Sequence, residues 1–365
     1  LFGAYSLDIG GIEKALVMLV NKLQENGYDI TLVLEKKQGI FLNEINPKIK
    51  IIEYEPSDNK NKIQRKLINL LKRINFTLKY KNKFDFSASF ATYSLPSSFV
   101  ARTASKNCYL WGHADYLTLF DGNAEKMKEF FIERNYNKFK KIIFVSKEGK
   151  ESFVKLFPEM KEKTMVCNNL IDADKILELS KEKIPEEDLL KVNKLISTQN
   201  EVTTFINVGR HQEKQKKLSR LIEAATMLKK DNMNFKIIFI GDGPETEEYK
   251  KQVKNNQLEN NIIFLGKKQN PYPYFKIADC VVLTSDYEGY PVVFLESFIL
   301  EKPIITTKVS DYKEVENKYG FVTEKDAKDI YEKMKNFILN RFEIKEKFDS
   351  KKYNEEILEK IENLF

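Results

Sequence analysis

A chain of 365 residues, 42% hydrophobic and 32% charged, holds enough apolar mass for two domains with separate cores and too much for a disordered chain. Its formal charge of +7, from 61 basic and 54 acidic residues, is moderate; it matters only where it clusters and gives no reason to expect a nucleic-acid partner. No apolar run reaches the length of a membrane span and no signal peptide is visible, while three scattered cysteines (Cys108, Cys167, Cys280) read as buried thiols of a cytoplasmic protein.

The chain opens at Leu1 with a strand, Leu1–Ala4, that reads as cut short, as if a segment preceded it. A turn over Ser6–Gly11 leads into a helix, Ile12–Asn26, closed by Gly27. Strands are expected at Ile30–Leu34 and Ile49–Tyr54, then a basic helical stretch over Lys60–Lys83. Further strands follow at Phe84–Phe90, Cys108–Trp111, Ile142–Val145 and Met165–Asn168, with Ser146 capping the helix after Val145. Asp172–Gln199 is charged and helical. The alternation restarts at Val202–Val208 and runs through Lys236–Ile240, Cys280–Ser285 and Ile304–Thr307. Strands alternating with helices imply parallel sheets covered on both faces. The expected fold is therefore α/β, in two doubly wound halves at 1–171 and 172–349. A last amphipathic helix, 350–365, is open to packing back on the first half.

The most informative unit is Cys280–Thr307: an apolar strand, the turn Asp286-Tyr287-Glu288-Gly289-Tyr290-Pro291, an apolar helix from Val292 to Leu300, and a second strand. Pro291 suits a first helical position, where its missing N–H costs nothing. Ligands of such units bind at the carboxyl ends of the strands. Glu288 stands at that end, and Glu296 about one turn inside the helix, where burying an unpartnered carboxylate would be expensive. Carboxylates grip hydroxyl-rich groups, and helix N-termini grip phosphate. Together they suggest a sugar phosphate.

Weaker signals line up with it. Gly10-Gly11 between strand and helix lets backbone N–H groups approach a phosphate, though such a pair is more often just a turn. His113 follows the strand Cys108–Trp111; a lone histidine is as easily structural as catalytic. Arg210, at the end of the strand Phe205–Val208, offers a planar fork for phosphate oxygens, and Lys216 a mobile charge. Gly241-Asp242-Gly243-Pro244 lacks the third glycine of a dinucleotide fingerprint and reads as a turn. Asp172-Ala173-Asp174 is a chance acidic triplet. No metal site is readable.

In order along the chain, Gly10-Gly11-Ile12-Glu13, His113, Ser146 in Val-Ser-Lys-Glu, Asn169-Leu170-Ile171-Asp172, Gly209-Arg210, Lys216, Gly241-Asp242-Gly243-Pro244 and the pair Glu288 and Glu296 resemble glycosyltransferase family 4. The resemblance covers nearly the whole chain and is most specific over 278–296. It implies a GT-B architecture of two facing Rossmann-like domains and a retaining transferase of the hexosyl type, drawing on a nucleotide-sugar donor, UDP-linked by preference. It implies no metal and no cofactor. Arg210 and Lys216 would hold the diphosphate, Glu296 the ribose, and Glu288 the transferred sugar, assisted by backbone N–H groups over Gly289, Tyr290, Pro291 and Val292. Gly10 and Gly11 would approach the phosphate, and His113 the anomeric carbon. Arg210 and Lys216 are one residue further apart than is common in the family, so Lys214 stands as the alternative. Leu170 follows Asn169 where the family often has Pro or Gly. The expected acceptor is a glycan or lipid-linked glycan of a cell-surface polysaccharide such as a capsule. A nucleotide-sugar epimerase or phosphorylase on the same fold, or a membrane-binding module, are the other readings.

The last of these rests on Lys60–Lys83, where nine Lys/Arg residues stand with no Asp or Glu. Ile63, Leu67, Leu70, Leu71, Ile74 and Leu78 share one helical face and are expected to pack on the domain. Lys62, Arg65, Lys66, Lys72 and Arg73 would then face an anionic inner-membrane surface as a peripheral contact.

Overall fold

The structure, a computed structural model, describes residues 1–8, 10–194 and 202–365. The last residues of the helical stretch expected over Asp172–Gln199, 195–199, lie outside them. Two compact units are formed, one by residues 1–171 with 351–365 and the other by 172–350.

The first unit is a seven-stranded, wholly parallel sheet: β1 (Phe2–Ala4), β2 (Thr31–Leu34), β3 (Lys50–Glu53), β4 (Ser87–Ser89), β5 (Cys108–Gly112), β6 (Lys141–Phe144) and β7 (Thr164–Val166). Its order is β3-β2-β1-β4-β5-β6-β7, so the winding reverses between β1 and β4. Three helices matter here: α1 (Gly11–Glu25), α2 (Lys62–Tyr80) and α3 (Leu95–Ala104). The strand expected over Phe84–Phe90 contracts to β4, whose small residues let α3 come close: Ser87 Oγ donates to Ala101 O at 2.6 Å, and the Ser89 and Ser97 hydroxyls lie 2.9 Å apart. Phe131, Phe144 and Phe153 centre one core layer of this unit, while Val33, Phe76 and Val100 belong to another. The C-terminal helix, Ser350–Glu362, packs on this unit; Asn354 bonds both backbone groups of Ile171, accepting at 3.0 Å and donating at 2.7 Å.

Helix α2 departs from expectation. Its apolar stripe does not pack on the domain: Ile63 is 80% exposed, Leu78 79%, and even Ile74 46%. The helix instead docks through Phe76, on its other side and beside Tyr80 of the same helix, against Tyr54 and Phe99. One aromatic anchor has determined which face turns inward.

The second unit is a six-stranded parallel sheet: β8 (Thr203–Val208), β9 (Phe235–Ile240), β10 (Ile262–Phe264), β11 (Cys280–Leu283), β12 (Ile304–Thr307) and β13 (Gly320–Thr323). The order β10-β9-β8-β11-β12-β13 reverses between β8 and β11. Phe205, Ile237, Phe239, Val282 and Ile305 form its core with the helices Leu218–Lys230 and Ala327–Asn340. The α/β, doubly wound architecture expected from the strand alternation is thus observed. The three cysteines are free and buried, and burial pushes the Cys167 thiol up to about 12. Among the described residues no helix is long and apolar enough to cross a membrane.

Candidate active site

Where a doubly wound sheet reverses, the loops leaving two adjacent strands diverge and leave a crevice. In the second unit these loops begin at Gly209, after β8, and at Thr284, after β11. The first carries Arg210 and a short helix, Glu213–Lys216; the second carries Glu288 and leads into the helix Val292–Ile299. They are bonded together along their length. Asp286 N donates to Gln215 O at 2.8 Å, Thr284 Oγ1 to Lys216 O at 2.8 Å, and Ser310 Oγ, from beyond β12, to Glu288 O at 2.7 Å.

Glu288 is buried, and donors surround its carboxyl oxygens. Lys216 Nζ and Ser285 Oγ each lie 2.6 Å from Oε1, and Gln215 Nε2 lies 3.2 Å from Oε2. A carboxylate with both oxygens satisfied and an ammonium beside it escapes most of the penalty of burial. It is Lys216 that makes this contact, while Lys214 is exposed. Arg210 is exposed and makes no ion pair among the described residues, so its guanidinium is open to an anion from solution.

Pro291 sits one place earlier than expected, as the residue preceding the helix, with φ −71° and ψ 100°. The extended ψ places the first helical turn at Val292, so the free N–H groups begin there. Tyr290 is buried and its hydroxyl donates to Glu314 at 2.7 Å. Glu296 is half-buried and accepts from Tyr272 Oη at 3.1 Å. Burial and that carboxylate both raise the Tyr272 pKa, so the phenol stays protonated and remains a donor.

The Gly241–Pro244 segment is a turn, as its incomplete fingerprint suggests, and it has a structural task. A Cβ on Gly241 would meet Gly209 O at 1.8 Å, and one on Gly243 would meet His211 O at 2.1 Å. The two glycines allow this turn to press against the loop that carries Arg210. His211, wholly buried, completes the buttress by pairing Nδ1 with Thr246 Oγ1 at 2.8 Å. Asp172 caps the helix Ala173–Leu179, accepting from Lys175 N at 2.9 Å. Among the described residues no three His, Cys, Asp or Glu side chains gather as a metal site would require.

The first unit holds the remaining candidates. Gly10 and Gly11 open α1 after β1, and no side chain caps the helix start. A Cβ on Gly11 would meet nothing within 4 Å, so the fold itself does not require glycine there. His113 follows β5 directly. Its ring lies 4.5 Å, centroid to centroid, from that of Phe90, and neither buried ring nitrogen makes a hydrogen bond of good geometry. Burial outweighs the nearby Phe90 carbonyl and lowers the imidazole pKa to about 3. Asp115 is spent on capping Tyr116–Leu119.

Sequence reasoning missed Gln215, Ser285 and Tyr272, the side chains that orient Glu288 and Glu296. Ser285 carried the one available signal, a hydroxyl at a strand end three residues before Glu288.

With this geometry in hand, comparison finds a likeness over most of the second unit: residues 192–355 match the family model for glycosyl transferases group 1. An uncharacterized glycosyltransferase of Methanocaldococcus jannaschii is 31% identical over 166 residues, 46% of this chain and 39% of the relative. The poly(ribitol-phosphate) alpha-N-acetylglucosaminyltransferase of Staphylococcus aureus is 26% identical over 288 residues, 74% of this chain and 53% of that protein. The chain thus spans about two fifths and about half the length of these curated relatives. Among solved structures, Anabaena HepE in complex with UDP and glucose superposes with a TM-score of 0.75 at 18% identity, covering 99% of this chain and 98% of the other. At that identity the likeness speaks for the fold alone, which is GT-B.

Proposed function

We propose that the protein is a retaining glycosyltransferase that moves a hexosyl group from a nucleoside-diphosphate sugar to a glycan or lipid-linked acceptor in cell-surface polysaccharide synthesis. The observation that carries this is the arrangement at the β8/β11 crevice: an open Arg210, an ammonium held against a buried Glu288, and a helix start, all at one reversal of the sheet. In this reading Arg210 and Lys216 neutralise the diphosphate, Glu296 accepts from ribose hydroxyls, and Glu288 binds the transferred sugar. A UDP donor is preferred because HepE, with the same fold, was solved with UDP and glucose. The Staphylococcus relative, named for a polymeric acceptor, favours a glycan or glycan-like acceptor.

The chemistry follows from charge. The bond between the anomeric carbon and the phosphate oxygen breaks, and its electron pair stays on the phosphate. The acceptor hydroxyl oxygen bonds to that carbon on the same face, and its proton passes to the departing phosphate oxygen. Negative charge grows on the diphosphate during this step, so cations and helix N–H groups already in place stabilise the transition state more than the ground state. A resident metal or cofactor has no part in this reading. His113, neutral at physiological pH, would serve as a polar contact to the sugar and not as an acid.

The test supplies UDP-sugars with and without an acceptor glycan and follows UDP release, with the product's anomeric configuration read by NMR. Acceptor-dependent release with retained configuration supports the proposal. A free epimerised sugar with no acceptor requirement would replace it with the epimerase reading.

A further inference from the structure

Helix α2 has two apolar surfaces, and the fold uses one of them. Phe76 is buried, its ring centroid 5.1 Å from that of Tyr54 and 6.0 Å from that of Phe99. At about 100° per residue, Ile63, Leu67, Leu70, Leu71, Ile74 and Leu78 fall within an arc of roughly 100° on the other side of the helix. Each is at least 46% exposed. Single exposed aliphatics are ordinary on a protein surface, but six on one arc form a contiguous patch that marks an interaction site.

What borders the arc identifies the partner. Between Lys60 and Lys83 there are nine cations and no acid, and Lys62 and Lys66, which flank one edge of the arc, are exposed without an ion pair among the described residues. Arg65, Lys66, Asn69, Leu70 and Arg73 line a surface groove of about 350 Å³, large enough for a phosphate-bearing head group. Lys72, expected to face outward, instead donates to Glu55 O at 2.7 Å, and Arg73 lies over the Phe99 ring at 5.3 Å. An apolar arc edged by unpaired cations is complementary to a surface that is apolar below and anionic above.

We infer that α2 is an interfacial helix that lies in the plane of an anionic lipid surface, with its apolar arc among the acyl chains and Lys66 and Lys62, which flank one edge of that arc, at the lipid phosphates. This rests on the proposed lipid-linked or surface acceptor only for its purpose, and deepens that proposal by naming where the acceptor is met. Insertion of the leucines, and not charge alone, holds the helix there.

The experiment is co-sedimentation of the full chain with phosphatidylcholine vesicles, with and without phosphatidylglycerol. Wild type is expected to bind only the anionic vesicles. The doubly substituted Leu67→Glu/Leu71→Glu chain changes exposed side chains, so it should keep its circular dichroism and lose binding by about tenfold or more. A Leu71→Trp chain should show a blue shift and quenching by bromine-tailed lipids, against the fixed background of buried Trp111. Equal binding by the doubly substituted chain would overturn the inference. So would a wild type that ignores vesicles but forms a dimer in sedimentation velocity that the same substitutions dissolve. Transfer to a soluble acceptor, measured in parallel, reports on the enzymatic proposal separately, because none of the substituted residues belongs to the β8/β11 crevice.

Discussion

Lys216 Nζ lies 2.6 Å from Glu288 Oε1, and the two residues belong to loops that leave adjacent parallel strands, β8 and β11, on either side of the sheet's reversal. Their side chains are 18% and 9% exposed, so the pair is shielded from solvent and from screening. It fixes an ammonium at the mouth of the crevice before any ligand arrives.

Removing the ammonium tests that relationship. Lys216→Ala leaves Glu288 with Ser285 and Gln215 but without its counter-charge, and should cost about 2–3 kcal/mol of stability. Turnover should fall more than affinity for the sugar-free nucleotide, because the lysine's partner is charge that grows during reaction. Lys214→Ala, at an exposed position, should change stability by no more than about 0.5 kcal/mol. Denaturant melts with steady-state kinetics decide between the two lysines.

Glu296 is expected to act on binding. Glu296→Gln should weaken nucleoside diphosphate affinity by about 1.5–3 kcal/mol, the worth of a charged hydrogen bond. Tyr272→Phe, which removes the donor holding that carboxylate, should do the same to a smaller degree. Calorimetry on both variants checks this, and unchanged affinity in Glu296→Gln would remove the residue from the site.

For His113 the pH dependence has a definite sign. Its folded pKa is about 3 and its ordinary value 6.5, so between those limits the unfolded chain binds more protons than the folded one. The stability contributed by the neutral, buried ring is complete above about pH 6.5 and is lost as the pH falls toward 3. The stability difference between wild type and His113→Gln should therefore shrink on acidification. The imidazole proton signals of His113 should also stay at their neutral positions between about pH 5 and 8.

Glycines on the two units should respond in opposite ways. Gly241 has φ +145°, and a Cβ there would meet Gly209 O at 1.8 Å, so Gly241→Ala should destabilise the second unit by about 2 kcal/mol or more. Gly11 has open space around it, and Gly11→Ala should leave the melting temperature unchanged while slowing transfer by about tenfold, if the bare backbone serves the donor phosphate. Thermal melts and rates on the two variants separate structural from functional need.

The sheets were legible because strands buried on both faces read as short apolar runs, such as Val281–Leu283 and Ile304–Ile305. The loops at their carboxyl ends stood out for the polar and glycine residues that interrupt those runs. Arg210 and Glu288 could therefore be placed before any contact was known. The rest needed tertiary information. Gln215 meets Glu288 across 73 positions of sequence, and nothing local marks a glutamine for that task. Ser87-Ala88-Ser89 lies inside the strand expected over Phe84–Phe90, but its contraction to these three small residues follows from α3 packing closely against them. In α2 the pattern contains both an aliphatic arc and an aromatic anchor, and the choice of inward face was made by Tyr54 and Phe99, distant in sequence.

The central claim is that a nucleoside diphosphate binds at the reversal between β8 and β11, and calorimetric titration of wild type and Arg210→Ala with UDP, GDP and ADP tests it most directly. The account predicts one preferred nucleotide, a single site, and an affinity reduced by about 1.5–3 kcal/mol when the open guanidinium is removed. Equal affinity in the two chains, or no binding of any of the three by wild type, would contradict it.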